Sequence, residues 1–201
     1  MEEFRRILEA VQEAGDPRWR AYKAARSLAE LAAKALAERG APRPIKCVDL
    51  PEALKRAGIL GEAEAQRMAD LLKALRALHK GGENAEKALA EALALAQAIT
   101  ARAKRIYPSI DERLALAFKA HGVAAAYDLG GGVIAVRPEI GLEERIGLAA
   151  EVARELGRQV VIRSVDEARE DVLTKGRLIY AEDLDEEIEG LAQEYAESLC
   201  C

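Results

Sequence analysis

On residues 122–136, GVAAAYDLGGGVIAV, hangs the choice between an all-helical chain and a mixed one. Two apolar segments, VAAAY and VIAV, flank the run Gly130-Gly131-Gly132 as two strands flank a tight turn. Downstream, residues 142–156 carry Leu142, Ile146, Ala149, Val152 and Leu156 at helical spacing, which predicts a helix with that face inward, ending at Gly157. QVVIRSV (159–165) is a continuous β-branched run and predicts a strand. Residues 165–176 read as mixed, and 184–199 as a charged terminal helix. Upstream, a helix is expected over 110–121.

Before Tyr107-Pro108-Ser109 the pattern is purely helical. A short amphipathic helix is expected over 2–13. Asp16 then serves as N-cap with Pro17 at the first helical position, and the helix runs to Arg39 before Gly40, a good C′ residue. Leu28, Leu31, Ala35 and Leu36 form its stripe. After an extended connector (41–46), helices are expected over 51–57, 62–79 and 84–106, the last with Leu89, Leu93, Ala96, Ile99, Ala103 and Ile106 on one face. The expected architecture is therefore an antiparallel helical bundle over residues 1–107, followed by a small α/β domain over 108–201.

Composition bounds the function. The 201 residues are 50% apolar and 32% charged, which suits a globular protein and excludes disorder. No apolar run approaches the ~20 residues of a membrane span, and MEEFRRILEA is unlike a signal peptide, so a cytoplasmic protein is expected. Cys47, Cys200 and Cys201 make a poor disulfide framework and lack zinc-ligand spacing; a free reduced Cys200-Cys201 pair is expected, with cross-linking of chains in an oxidising preparation as the alternative. Net charge is −5, yet residues 1–107 hold 20 Lys and Arg against 15 Asp and Glu, while residues 108–201 hold 10 against 20. That split suggests two domains facing each other, or a basic half that meets an anion.

LAAKALAERGAPRPIKCVDLPEALKRAGIL (31–60) and LLKALRALHKG (71–81) resemble the HEPN domain of prokaryotic toxin–antitoxin systems. GVAAAYDLGGGVIAV, GLEERIGLAAEVARELGRQVVIRSV (141–165) and TKGRLIYAED (174–183) resemble its usual partner, the minimal nucleotidyltransferase (MNT) antitoxin. The HEPN resemblance implies a homodimer and, in many members, RNA cleavage by an Arg and a His on one helix, the His as general acid or base and the Arg holding a phosphate. His79 falls on the family His. The family Arg falls on Ala74, with Lys73 and Arg76 as neighbours, and the Tyr after the His is replaced by Gly81. A lone His at a helix end is more often a solvated residue that favours the helix dipole, and charges such as Arg76 and Lys80 are more often a solvated helix face.

The MNT resemblance implies a Gly-Ser turn for nucleotide phosphates and three carboxylates for two Mg²⁺. Gly130 and Gly131 fall on the turn, which makes them the candidate nucleotide-binding residues, but the Ser is missing. The paired Asp positions fall on about Gly131 and Val133, and the third carboxylate on Val161. Apolar residues cannot ligate Mg²⁺, so no metal is expected. Asp128 and Glu139 are the acidic residues near the hairpin, and Asp128 before glycines suits a turn-former. The glycine run matches neither a dinucleotide fingerprint nor a P-loop.

The expectation is a catalytically inactive HEPN–MNT fusion, homodimeric, that binds a nucleotide, RNA or protein and uses no cofactor. The alternatives are a metal-independent ribonuclease using His79 with Arg76, and a transferase that needs Mg²⁺ and ATP. A helical scaffold unrelated to nucleic acid stands as the plain alternative, and the acidic net charge opposes tight non-specific RNA binding.

Overall fold

The computed structural model describes residues 2–78, 84–104 and 110–199, with 75–78 described by their backbone alone. The chain divides into two compact units, Met1–Arg105 with Ala192–Cys201, and Ile106–Leu191. The sequence boundary at 107/108 falls two residues from this division, but the last ten residues, expected in the α/β part, group with the helices.

In the first unit, α1 (Glu2–Gln12), α2 (Pro17–Glu38), α3 (Leu50–Arg56), α4 (Glu62–Leu78) and α5 (Ala85–Arg102) are joined by short connections, with a 3₁₀ turn at Cys47–Asp49. Asp16 caps α2 by accepting from the Arg18 N–H, with Pro17 in the first turn where its missing N–H costs nothing. At the other end Gly40 (φ +63°) completes a Schellman cap: Ala41 N–H donates to Leu36 O at 3.1 Å and Gly40 N–H to Ala37 O at 2.9 Å. Between these caps α2 buries more than one stripe. Ala24, Ala25, Ala29, Ala32 and Ala33 join Leu28 and Leu36, because α1, α4 and α5 all pack on it and small side chains let them approach. Arg20 closes α1 by donating to Ala10 O (2.9 Å) and Val11 O (2.6 Å). Lys34 donates to Glu3 at 2.7 Å, tying α1 to α2. The Glu3 side chain is only 7% exposed; burial by itself raises its pKa, but the Lys34 hydrogen bond and charge outweigh this and hold the carboxyl below the usual range. Helix α5 stops at Arg102, short of the expected end at Ile106, which lies outside the described residues.

Cys47 is disulfide-bonded, although the three cysteines read as a poor disulfide framework; Cys200 and Cys201, expected as a reduced pair, lie outside the described residues. In the last turns of the final helix, Tyr195 donates to Pro44 O at 2.6 Å, and Leu199 packs on the cluster that contains Cys47.

In the second unit, α6 (Glu112–Ala120) precedes the hairpin β1 (Ala125–Gly130) and β2 (Val133–Arg137). Then follow α7 (Leu142–Leu156), β3 (Val161–Ser164), α8 (Arg169–Lys175), β4 (Arg177–Ala181) and α9 (Leu184–Ser198), whose last turns belong to the first unit. The sheet order is β3-β2-β1-β4, with β2 and β3 parallel across the α7 crossover and the other pairs antiparallel. Mixed α/β architecture in this half is thus as expected, with β4 added from a stretch the sequence left unassigned. Helices α6 and α7 contribute Leu114, Phe118, Leu148 and Val152 to a core with Ala126, Ile134, Val136, Ile162 and Tyr180 of the sheet. On β1 the buried Tyr127 hydroxyl donates to Glu187 of α9.

The expected inward face of α7 holds for Ala149, Val152 and Leu156, which pack on the core, and is corrected at its start. Leu142 and Ile146 are 73% and 63% exposed, while Leu148, not on the expected stripe, is fully buried. The reason lies at Gly147, where an added Cβ would stand 3.3 Å from His121 Cε1, so the glycine lets α6 approach that side of the helix. Within QVVIRSV, expected as a strand, β3 alternates exposed and buried positions, with Val161 55% exposed; among the described residues it pairs with β2 alone. No helix among the described residues is long and apolar enough to cross a membrane.

Candidate functional site

The two sets of candidate residues fare differently. His79, Lys80 and Gly81 lie outside the described residues. Arg76 sits on α4 by its backbone, and nothing of its side chain is described; Lys73 and Ala74 are exposed on the same helix.

The second set converges at the turn end of the sheet. Gly130, Gly131 and Gly132 all have positive φ (82°, 61° and 81°), a backbone that only glycine adopts freely. At Gly132 a Cβ would lie 2.5 Å from Gln159 O, and Gly132 O accepts from Val161 N–H at 2.8 Å. The turn therefore seats against the start of β3. This brings Val133 and Val161 opposite each other as register partners in the parallel pair. The positions on which the MNT resemblance places the second Asp and the third carboxylate are thus spatial neighbours, and both are valine.

Asp128 lies one register step further in, paired with Ile134 on β2 and Arg177 on β4. Its Oδ1 accepts from Gly130 N–H at 2.9 Å, the turn-forming contact expected of it. Its Oδ2 meets Arg158 Nη2 and Arg177 Nη2, each at 3.3 Å. Glu139 is elsewhere. Ile134 to Arg137 covers about 10 Å of strand, and Glu139 lies beyond it, paired with Arg145 at 2.8 Å. The two acidic residues near the hairpin in sequence are therefore at opposite ends of β2. Among the described residues no group of three or more His, Cys, Asp or Glu is placed to hold a metal ion.

Sequence reasoning missed Arg158 and Arg177, which reach Asp128 from the α7–β3 turn and from β4. It also missed Ser164 and Glu167, whose S-x-x-E spacing gives the reciprocal bonds of a capping box, here closing the turn after β3 rather than a helix start. Glu167 N–H donates to Ser164 Oγ at 3.1 Å and Ser164 N–H to Glu167 Oε2 at 3.2 Å. Arg145, and then the Ser164 N–H, hold the Glu167 carboxyl below its ordinary range. Arg145 bridges Glu167 and Glu139, so this end of the unit is a closed ion network.

No family model, curated protein or solved structure matches this chain.

Proposed function

We propose that the chain is a HEPN-like helical unit fused to a degenerate MNT-like unit, and that it acts by binding a nucleotide, RNA or protein rather than by turnover. The observation that carries this reading is the Val133–Val161 register pair. Two-metal phosphoryl or nucleotidyl transfer needs carboxylates on adjacent strands to hold the ions, and here the adjacent positions carry isopropyl groups. The carboxylate nearest the turn, Asp128, is engaged by two guanidiniums. A hairpin followed by a parallel crossover supports the MNT-like part, and the mutually packed helices of the first unit support the HEPN-like part. A homodimer through the helical unit belongs to the same proposal and is tested by light scattering.

The deciding experiment pairs labelled ATP with thermal unfolding. With Mg·ATP and candidate acceptors, no label is transferred to protein, RNA or small acceptor. A nucleotide bound at ~100 times its Kd raises native stability by about 2.7 kcal/mol, and such a shift without turnover supports the binding reading. Mg²⁺-dependent transfer, lost when Asp128 and Glu139 become Asn and Gln, overturns it in favour of a transferase. Cleavage of RNA without metal, lost in His79→Gln, overturns it in favour of a ribonuclease.

A further inference from the structure

Helix α7 leans on α6 along one flank. An added Cβ at Gly147 would stand 3.3 Å from His121 Cε1, Glu151 lies 3.5 Å from His121 Nε2, and Glu155 lies 3.8 Å from Arg113. Leu148 and Val152 face the core. At about 100° per residue, the remaining sector, away from α6 and outward, carries Leu142, Ile146, Ala150 and Ala153 and no charge. Leu142 and Ile146 are 73% and 63% exposed, and Ala150 is exposed as well. A surface helix ordinarily turns its charges to water and its apolar stripe inward. Here two carboxylates are turned toward α6 and a second apolar stripe is left in solvent, which marks an interaction surface rather than scattered apolar residues.

The stripe differs along its length, and that difference selects the occupant. Its N-terminal half is bulky (Leu142, Ile146) and bordered by the exposed Glu143. Its C-terminal half is small (Ala150, Ala153) and bordered by Arg154, whose side chain is 75% exposed and meets Glu155 only at a long 3.9 Å. We propose that this face binds a second copy of the chain, α7 against α7, antiparallel about a two-fold axis. With the axis at the level of Leu148, Ile146 lies over the partner's Ala150, Leu142 over the partner's Ala153, and Glu143 opposite the partner's Arg154. The same contacts repeat across the axis, as an isologous interface requires. Large side chains meet small ones, so the helices approach closely, and acid meets base twice. A parallel pairing would set Leu142 on Leu142 and Glu143 on Glu143. One helix pair buries less than the ~1,200 Å² in total of a standard interface, so the contact is weak and reversible. It belongs to the sheet unit and does not depend on the HEPN-like reading, whose homodimer lies on the helical unit.

Sedimentation velocity of the full chain, from ~5 to ~500 μM, tests the contact in the range where weak pairs form. The weight-average mass rises reversibly with concentration, whether the starting species is a monomer or the dimer proposed for the helical unit. Ile146→Glu abolishes that rise and leaves Tm in dilute solution unchanged, because the side chain is largely in water there. Glu143→Arg and Arg154→Glu each weaken the association about fivefold, since each brings like charges together at two points. Combining the two restores it to within about twofold of the parent chain. A mass constant over the whole range overturns the proposal. So does association that survives Ile146→Glu, which belongs to another face, or a double variant no tighter than the single ones, which excludes the antiparallel pairing.

Discussion

The helical unit and the sheet unit reach burial by opposite routes. In the first, α2 is surrounded, and its Ala-rich face tolerates neighbours on several sides because no single residue fixes the approach. In the second, the hairpin depends on individual positions: Gly132 must lack a side chain, and Val133 and Val161 must meet in register. Stability in the bundle is thus spread over volume, whereas in the sheet it is concentrated at a few points of close approach. The largest expected effect belongs to the bundle. Leu28 is fully buried in α2, and Leu28→Ala should cost about 3 kcal/mol in chemical denaturation. A loss below about 1 kcal/mol means that the neighbouring alanines collapse into the space and the bundle core is softer than its packing implies.

The point-like character of the hairpin is tested by two adjacent glycines. Both Gly131 and Gly132 have positive φ, but only Gly132 faces an atom, Gln159 O, within reach of a Cβ. Gly131→Ala should cost about 1 kcal/mol for the backbone conformation alone. Gly132→Ala should cost at least about 2 kcal/mol, because the start of β3 must also move. Equal losses would show that the turn does not seat on β3 as tightly as the 2.8 Å Val161–Gly132 hydrogen bond indicates.

These same residues show how far the sequence could be read. The caps of α2 were legible because Asp16-Pro17 and Gly40 act through local backbone chemistry. The hairpin was legible because three glycines between apolar runs have few other uses. The face of α7 was legible only in part: Ala149, Val152 and Leu156 pack inward as expected, but Leu142 and Ile146 do not. Its apolar residues permit more than one inward stripe, and Gly147, Glu151 and Glu155 meet Arg113 of α6 and His121 at its C-terminal end. Polar residues and a glycine on the contact side carry no hydrophobic signal. Arg158 and Arg177 were invisible for a related reason, since register and a turn bring them to Asp128 from 30 and 49 residues away. The resemblance to HEPN and MNT domains supplied the expectation that Val133 and Val161 matter, and strand pairing made them neighbours.

A smaller effect separates the units by pH. The Glu3 carboxyl is held below its ordinary pKa by Lys34, so the pair stabilises the fold above the unfolded pKa near 4.5 and loses that contribution as pH falls through the lower folded value. Lys34→Met should cost about 1–2 kcal/mol near pH 7, and the difference from the parent chain should shrink below about pH 4. A difference that persists at pH 3 would assign the loss to packing of the Lys34 stem rather than to the ion pair.

The smallest expected effect tests the face of α7 most directly, because at Leu142 and Ile146 the hydrophobic pattern and the packing disagree. If the pattern ruled, Ile146 would sit among Ile134, Leu148 and Ile162, and Ile146→Ser would open a cavity and bury a hydroxyl at a cost of several kcal/mol. The side chain is instead largely in water, and Ser has a helix propensity close to that of Ile. The loss should then stay within about 0.5 kcal/mol. Leu148→Ala, two residues on and on the buried side, supplies the control with an expected loss like that of Leu28→Ala. Comparable losses at 146 and 148 would mean that α7 is rotated about its axis from the orientation in which Gly147 meets His121. With the rotation would go the approach of α6 that this glycine permits.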